Sequence, residues 1–303
     1  MMKKWLLAAA SLLMVVTLAG CGSNTIATLK GGKVTQDEFY KEIKETSAGK
    51  QQVQQMILQK ALQEQYGSKS LTKKIDKTYN TYKKQYGSSF TSVLAQSGLT
   101  TSSFKNQITT QMLANAALKA NKKVTNADLK KQWKTYEPKV EVQHILVEKK
   151  DTAETVISEL KKDNSTKNFT ALAKKYSTDT GTKKDGGKLP VFDSTDTSLD
   201  STFKTAAFKL KTNEYTTTPV KTSYGYHVIR MIKNPGKGKM ADHKKTLTDQ
   251  VYAKWANDQT VMAKVYTKVL KKADVTIKDK DLSDILSSYG VNAKKSSAKS
   301  SSK

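Results

Sequence analysis

Read by the spacing of its apolar positions, the chain changes texture several times. Thr25 to Val34 (TIATLKGGKV) predicts two short strands that turn at Gly31-Gly32. Thr35-Gln36-Asp37-Glu38 then predicts a helix start, because the Thr35 hydroxyl can accept from the backbone at Glu38 while the Glu38 carboxylate reaches back, with Phe39 and Ile43 on one face beyond it. From 50 to 120 the apolar residues recur at helical spacing: Val53, Met56, Ile57 and Ala61, then Leu71, Ile75 and Tyr79, then Ile108, Met112, Leu113 and Ala116. Gly67, Gly87 and Gly98 punctuate that stretch, so several helices are expected and no single rod. Thr125-Asn126-Ala127-Asp128 is a second capping-type start, for a helix that stops at Glu137-Pro138.

Beyond it, 140–147 (VEVQHILV) predicts a strand, 152–162 and 169–176 predict helices, and 226–232 (YHVIRMI) predicts another strand. This is a compact α+β unit closed by Asn234-Pro235-Gly236-Lys237-Gly238. Helical periodicity returns from Met240 to Leu270 through Leu247, Val251, Trp255, Val261 and Val265, and Asp274-Val275-Thr276-Ile277 predicts a last short strand. Paired with the strands near residue 30, that piece would fold both ends of the chain into one helical domain, with the α+β unit inserted in it. The expected boundaries are 1–20 for a targeting segment, 21–138 for an N-terminal helical domain, 139–233 for the α+β domain, 234–285 for the C-terminal part of the helical domain, and 286–303 for a disordered Lys/Ser tail that is only Ser, Lys and Ala from Ala293.

The first twenty residues belong to no folded element. Lys3 and Lys4 precede an uncharged, mostly apolar run from Trp5 to Ala19, which reads as an export signal. Its fifteen residues fall short of the roughly twenty that a membrane-spanning helix needs. Leu18-Ala19-Gly20-Cys21 resembles the lipobox of bacterial lipoproteins, which implies that Cys21 is acylated and anchors the protein in the membrane. Cys21 is the only cysteine, so no internal disulfide can form, and a lipid thioether accounts for a leftover thiol in an exported chain.

The formal charge of +26 falls by two, to +24, without Lys3 and Lys4. Such a charge seeks anionic neighbours. Arg230 is the only arginine among the basic residues, whereas readers of base edges rely on the planar guanidinium fork. Lipid headgroups and anionic cell-wall polymers therefore fit the charge better than nucleic acid. Other chemistries are also excluded. Gly181 to Leu189 misses the phosphate-binding loop pattern, since the lysine comes one place late and Leu189 replaces the hydroxyl. There is no Gly-x-Ser-x-Gly and no His-Glu-x-x-His, and three histidines supply a catalytic zinc site poorly; no metal or cofactor is expected.

What remains is a pair. His144 alternates with Val142 and Leu146, and His227 shares a strand face with Gly225 and Ile229, so both imidazoles point with core residues on the first and last strands of one small domain. Around them lie His144-Ile145-Leu146-Val147, Phe169-x-x-Leu172-Ala173-x-x-Tyr176-Ser177-x-Asp179, Gly186-Gly187-x-Leu189, Phe203-x-x-Ala206-Ala207-Phe208-x-Leu210-Lys211 and Tyr224-Gly225-Tyr226-His227-Val228-Ile229. That series resembles a parvulin-type peptidyl-prolyl isomerase domain over 139–233, and with the lipobox and the split helical region the whole chain resembles the PrsA-type foldase lipoproteins of Gram-positive bacteria.

The resemblance implies an α+β fold, a small antiparallel sheet with surrounding helices, inserted in a SurA/PrsA-like helical chaperone domain built from both ends of the chain. It implies that His144 and His227 are the paired core histidines, that Asp179 and Thr222 complete the catalytic set, and that Leu189, Leu199 and Phe203 form the proline pocket. It also implies a membrane-anchored extracellular foldase that acts on unfolded secreted proteins, with room for a homodimer. Two residues depart from the usual Gly-Gly-Asp-Leu-Gly, which here reads Gly186-Gly187-Lys188-Leu189-Pro190, and the pocket methionine is Leu199. A non-catalytic holdase with a vestigial isomerase domain is the second reading. A solute-binding lipoprotein would need repeated βαβ patterns that the helix-rich flanks lack.

Overall fold

The structure, a computed structural model, describes residues 25–292 and 294–295. The export signal at 1–20, Cys21 and the end of the Ser/Lys tail lie outside those residues. In chain order the elements begin with β1 (Thr25–Leu29), β2 (Gly32–Thr35), α1 (Gln36–Glu45) and α2 (Ser47–Tyr66), followed by α3 (Lys69–Tyr86), α4 (Phe90–Gln96), α5 (Thr101–Asn121) and α6 (Asn126–Thr135). Next come β3 (Glu141–Val147), α7 (Lys150–Lys162), α8 (Thr166–Tyr176), α9 (Ser201–Phe208), β4 (Val220–Thr222) and β5 (Gly225–Lys233). Helices α10 (Lys244–Ala256) and α11 (Gln259–Ala273) and the short strands β6 (Thr276–Ile277) and β7 (Lys294–Lys295) close the chain. The described residues divide into two compact units, one made of those up to Gln65 together with those from Thr267 on, and the other of Tyr66–Tyr266.

The first unit brings the two ends of the chain together, but not by the predicted strand pairing. Strands β1 and β2 pair antiparallel with each other, and β6 runs parallel to β7 in a separate sheet. The ends are joined by side chains instead. Lys44 Nζ lies 3.1 Å from Asp279 and 2.6 Å from Asp281, and the Tyr40 hydroxyl donates to Asp279 at 2.8 Å. The Gln54 amide donates to the Ile285 carbonyl and the Ser288 hydroxyl, both at 2.8 Å. Helices α1 and α2 thus carry long donors to the acceptors on 279–288. The hairpin needs no third strand for its register, and its start into α1 is held by the predicted capping box, with Glu38 N–H donating to Thr35 Oγ1 and Thr35 N–H to Glu38 Oε2.

The tail boundary at 286 is set too early. Leu286 is fully buried, Val291 is buried, Ser287–Tyr289 forms a 3-10 turn, and the Thr267 hydroxyl donates to the Tyr289 carbonyl at 2.6 Å. Apolar side chains at 286 and 291 give this segment surface to bury, which the Ser/Lys/Ala run after 293 lacks.

In the second unit the glycine breaks fall where expected. Gly87 and Gly98 separate α3, α4 and α5, both at positive φ, and Phe90 stacks edge-on against Tyr79 and Phe104 at 5.7 and 5.8 Å. Leu129 of α6, Tyr136 and Leu247 of α10 share a buried cluster. The periodic stretch 240–270 is two helices, because the Asp258 carboxylate accepts from the N–H groups of Thr260 and Val261 and starts α11 afresh.

The α+β part has a three-stranded antiparallel sheet in the order β3-β5-β4. Side chains alternate across it. Ile145, Val147 and Val228 face α7 and α8 and join Val156, Leu160, Phe169 and Leu172 in one core, while Val142, Ile229 and Met231 face the other way and join Val140, Phe192, Phe203 and Ala207 in a second. Arrangement of the sheet between two apolar layers is what holds residues of β3 and β5 at fixed spacing. Replacing Leu286 by alanine should cost roughly 2–5 kcal/mol, read as a lowered unfolding midpoint; an unchanged midpoint would mean that the segment after 285 is not part of the fold.

Candidate functional site

On the second sheet face the two histidines meet. His144 Nδ1 lies 3.2 Å from His227 Nδ1, and the rings stack at 5.4 Å between centroids with planes 18° apart. The β3–β5 register sets this distance, with His144 opposite Ile229 and His227 opposite Leu146, so the imidazoles are diagonal neighbours on one face. Both are buried. His144 Nε2 is 2.8 Å from Asp179 Oδ2 and 3.2 Å from Thr182 Oγ1, and His227 Nε2 is 2.8 Å from the Thr222 hydroxyl.

The direction of each of these hydrogen bonds follows from charge. Burial works against ionisation of Asp179, but hydrogen bonds from Thr182, His144 and the Gly181 N–H outweigh it and hold the carboxyl below its ordinary range. An ionised carboxylate only accepts, so His144 donates from Nε2. Burial lowers the His144 pKa against the pull of Asp179, so the ring is neutral at pH 7 and its Nδ1 is an acceptor. His227 must then donate from Nδ1 and accept at Nε2 from the Thr222 hydroxyl, whose oxygen in turn accepts from the Tyr224 N–H at 3.2 Å. Burial, with His144 second, lowers the His227 pKa from 6.5 to about 4. The result is a proton-ordered chain from Tyr224 to Asp179 with no positive charge in it.

An apolar wall stands against this chain. The Phe203 ring meets His144 edge-on at 5.7 Å and His227 at 5.1 Å. Leu189 and Leu199 pack on the same cluster as Phe203. Asp200 caps α9 through the N–H groups of Thr202 and Phe203, which fixes where that ring enters. All seven residues expected from the sequence, His144, Asp179, His227, Thr222, Leu189, Leu199 and Phe203, therefore belong to one connected neighbourhood. Thr182 and Ser177 were not anticipated. The Thr182 hydroxyl donates to Asp179 Oδ2, and Ser177 Oγ accepts from the N–H groups of Leu146 and Asp179. Their signal was faint, two hydroxyls in a Ser/Thr-rich turn around one aspartate.

The two departures of the rim are local in their effect. Leu189 N–H donates to the Val142 carbonyl and Phe192 N–H to the Val140 carbonyl, so Pro190 sits between the ladder donors and removes no hydrogen bond. Lys188 is exposed. A separate groove of about 870 Å³ runs between α9 and residues 213–221, with none of the histidine chain in its walls. Among the described residues no group of three or more His, Cys, Asp or Glu could hold a metal ion, and no helix is long and apolar enough to cross a membrane.

Comparison with known proteins points the same way. A family model for the PPIC-type PPIase domain, or rotamase, matches residues 139–233. The chain is 60% identical over 288 residues to foldase protein PrsA 1 of Lactiplantibacillus plantarum, covering 95% of this chain and 97% of that one. It is 60% identical over 291 residues to foldase protein PrsA of Levilactobacillus brevis, covering 95% of each. Among solved structures, foldase protein PrsA from Streptococcus pneumoniae superposes with a TM-score of 0.70 at 31% identity, over 88% of this chain and 99% of that one.

The neutral pair makes stability depend on pH. In the unfolded chain a histidine takes up a proton near 6.5, while in the fold His227 does so only near 4. Its contribution is therefore complete above pH 6.5 and is lost as pH falls toward 4. Thermal unfolding should show a midpoint that declines through this window, with a shallower decline in His227→Gln; equal slopes in the two proteins would mean that the imidazole is not held neutral.

Proposed function

The chain belongs to the PrsA foldase family, and on that premise we propose that it is a peptidyl-prolyl cis/trans isomerase and foldase, exported and held by an acylated Cys21 at the outer face of the cell membrane, where it assists secreted proteins to fold. The observation that carries the isomerase reading is the Phe203 ring set edge-on against two buried neutral imidazoles, with Leu189 and Leu199 beside it. Rotation about a peptide bond faces a barrier of about 18–20 kcal/mol because twisting destroys amide resonance. No bond is made or broken, so a nucleophile is unnecessary.

Phe203, Leu189 and Leu199 grip the prolyl ring and exclude water. A twisted amide is less charge-separated than a planar one, so a dry apolar slot favours the transition state over the ground state. His144, His227 and Thr222 keep the floor of the slot rigid and uncharged, and Asp179, half-buried at its edge, stands near the substrate carbonyl.

The charge of +26 supports contact with anionic cell-wall polymers and lipid heads. A second reading, a holdase with the isomerase part idle, is favoured by a specific feature: Ile26, Leu29, Val34, Phe39 and Ile43 on β1, β2 and α1 are all exposed, an apolar surface suited to unfolded chains or to a second copy in a homodimer.

A protease-coupled assay on a proline peptide with the full chain, run beside suppression of aggregation, separates the two. Turnover should be present and should fall on the order of a hundredfold in Phe203→Ala, the equivalent of ~3 kcal/mol, measured well below the unfolding midpoint, which loss of this buried ring should itself lower. Aggregation suppression without turnover in the unsubstituted chain would leave the holdase reading alone.

A further inference from the structure

The opposite face of the sheet carries a polar residue that its surroundings do not explain. Alternation puts Gln143 and Arg230 on the side packed by α7 and α8, directly opposite each other in the β3–β5 register. Their neighbours there are the apolar core of Ile145, Val156, Leu160, Phe169 and Val228. Arg230 fastens the loop between α7 and α8, donating to the Asn164 carbonyl and the Thr166 hydroxyl. Gln143 is fully buried. Its amide donates to the Gly186 carbonyl at 2.8 Å and to Thr170 Oγ1 at 3.2 Å, and its Oε1 has no partner among the described residues. A buried amide with an unpaired oxygen costs stability relative to an apolar side chain of the same shape, so thermodynamic gain is a poor account of it.

Its bonds lead to the slot. Gly186 and Gly187 both take left-handed backbone, at φ +70° and +78°, and a Cβ on Gly187 would fall 2.0 Å from the His144 carbonyl oxygen. This close approach lets the His144 N–H donate to the Gly187 carbonyl at 2.8 Å, and two residues later the Leu189 N–H donates to Val142 at 3.1 Å. The peptide that Gln143 holds is thus the first of the short run that hangs Leu189 beside His144. Thr170, the other partner, comes from α8, so the amide ties the rim to a packed helix as well as to β3.

We propose that Gln143 is a positioning residue for the proline slot: from behind the sheet it fixes the Gly186–Gly187 turn, and through it the distance of Leu189 from the histidine pair. It touches no substrate. The inference rests on the isomerase reading above and predicts a ground-state effect, since the histidine chain does not depend on Gln143.

The test is Gln143→Met in the full chain, which keeps an unbranched side chain of similar length and removes the donor. KM for a proline peptide should rise about tenfold with kcat within about twofold, a cost of one hydrogen bond to the rim, while the unfolding midpoint falls no further than in Ile145→Val. Exchange of the His144 amide should accelerate about tenfold, with the Ile145 and Val228 amides unchanged. Ile145→Val, a loss of packing in the same layer, should lower the midpoint without moving KM. An unchanged KM in Gln143→Met, or a KM raised as much in Ile145→Val, overturns the proposal.

Were the unsubstituted chain to show no turnover, the isomerase reading would fail on its own. The same comparison would then be made on peptide Kd and His144 amide exchange, which decide the positioning role without catalysis. If Gln143→Met does not fold, the unsubstituted chain still answers: slowly exchanging Gln143 side-chain protons with a scalar coupling to the Gly186 carbonyl support the proposal, and rapid exchange overturns it.

Discussion

The carboxylate of Asp179 sets the order of every proton in the site. Because it is ionised, His144 must donate to it; because His144 is neutral, His227 must donate to His144; and Thr222 is left to donate to His227. Two imidazoles can then be buried against Phe203 with all four ring nitrogens paired and no charge to solvate. With a protonated Asp179 the order would be lost, since the carboxyl could donate to His144 and either histidine could then lead. An uncharged, water-poor surface is thereby made from titratable groups, as the proposed isomerase reading requires.

The scaffold serves that chain by geometry. Alternation along β3 and β5 separates an apolar layer under α7 and α8 from the face that carries the histidines, and the antiparallel register fixes their spacing. The rim is the least regular part, with two left-handed glycines and a proline within five residues. Its hydrogen bonds to Val142, His144 and Gln143 replace the regularity it lacks. Rigidity of the floor and dependence of the rim on a few bonds together fit the proposed role, in which the slot admits a proline and then holds it.

Much of this was legible in the sequence, for identifiable reasons. The capping boxes at Thr35 and Thr125, the glycine breaks in the helical stretch, and the shared face of His144 and His227 each depend on near neighbours in the chain, where spacing alone carries the information. Elements set by distant contacts were not legible. Helix α9 has eight residues and is started by an aspartate cap, and β4 has three residues and exists only by pairing with β5. The partner of β6 could not be read from its own two residues, and it lies toward the C-terminus instead of near residue 30. Thr182 and Gln143 took on their roles only once the chain folded back, since neither residue type in its local setting points to a site.

The proton order of the chain is the central claim, and long-range proton–nitrogen NMR spectra of the histidine rings at pH 7 test it most directly. His144 should show the tautomer protonated at Nε2 and His227 the tautomer protonated at Nδ1, both neutral, with the His227 proton shared toward His144. A protonated imidazolium at either position, or both rings in the same tautomer, would contradict the account.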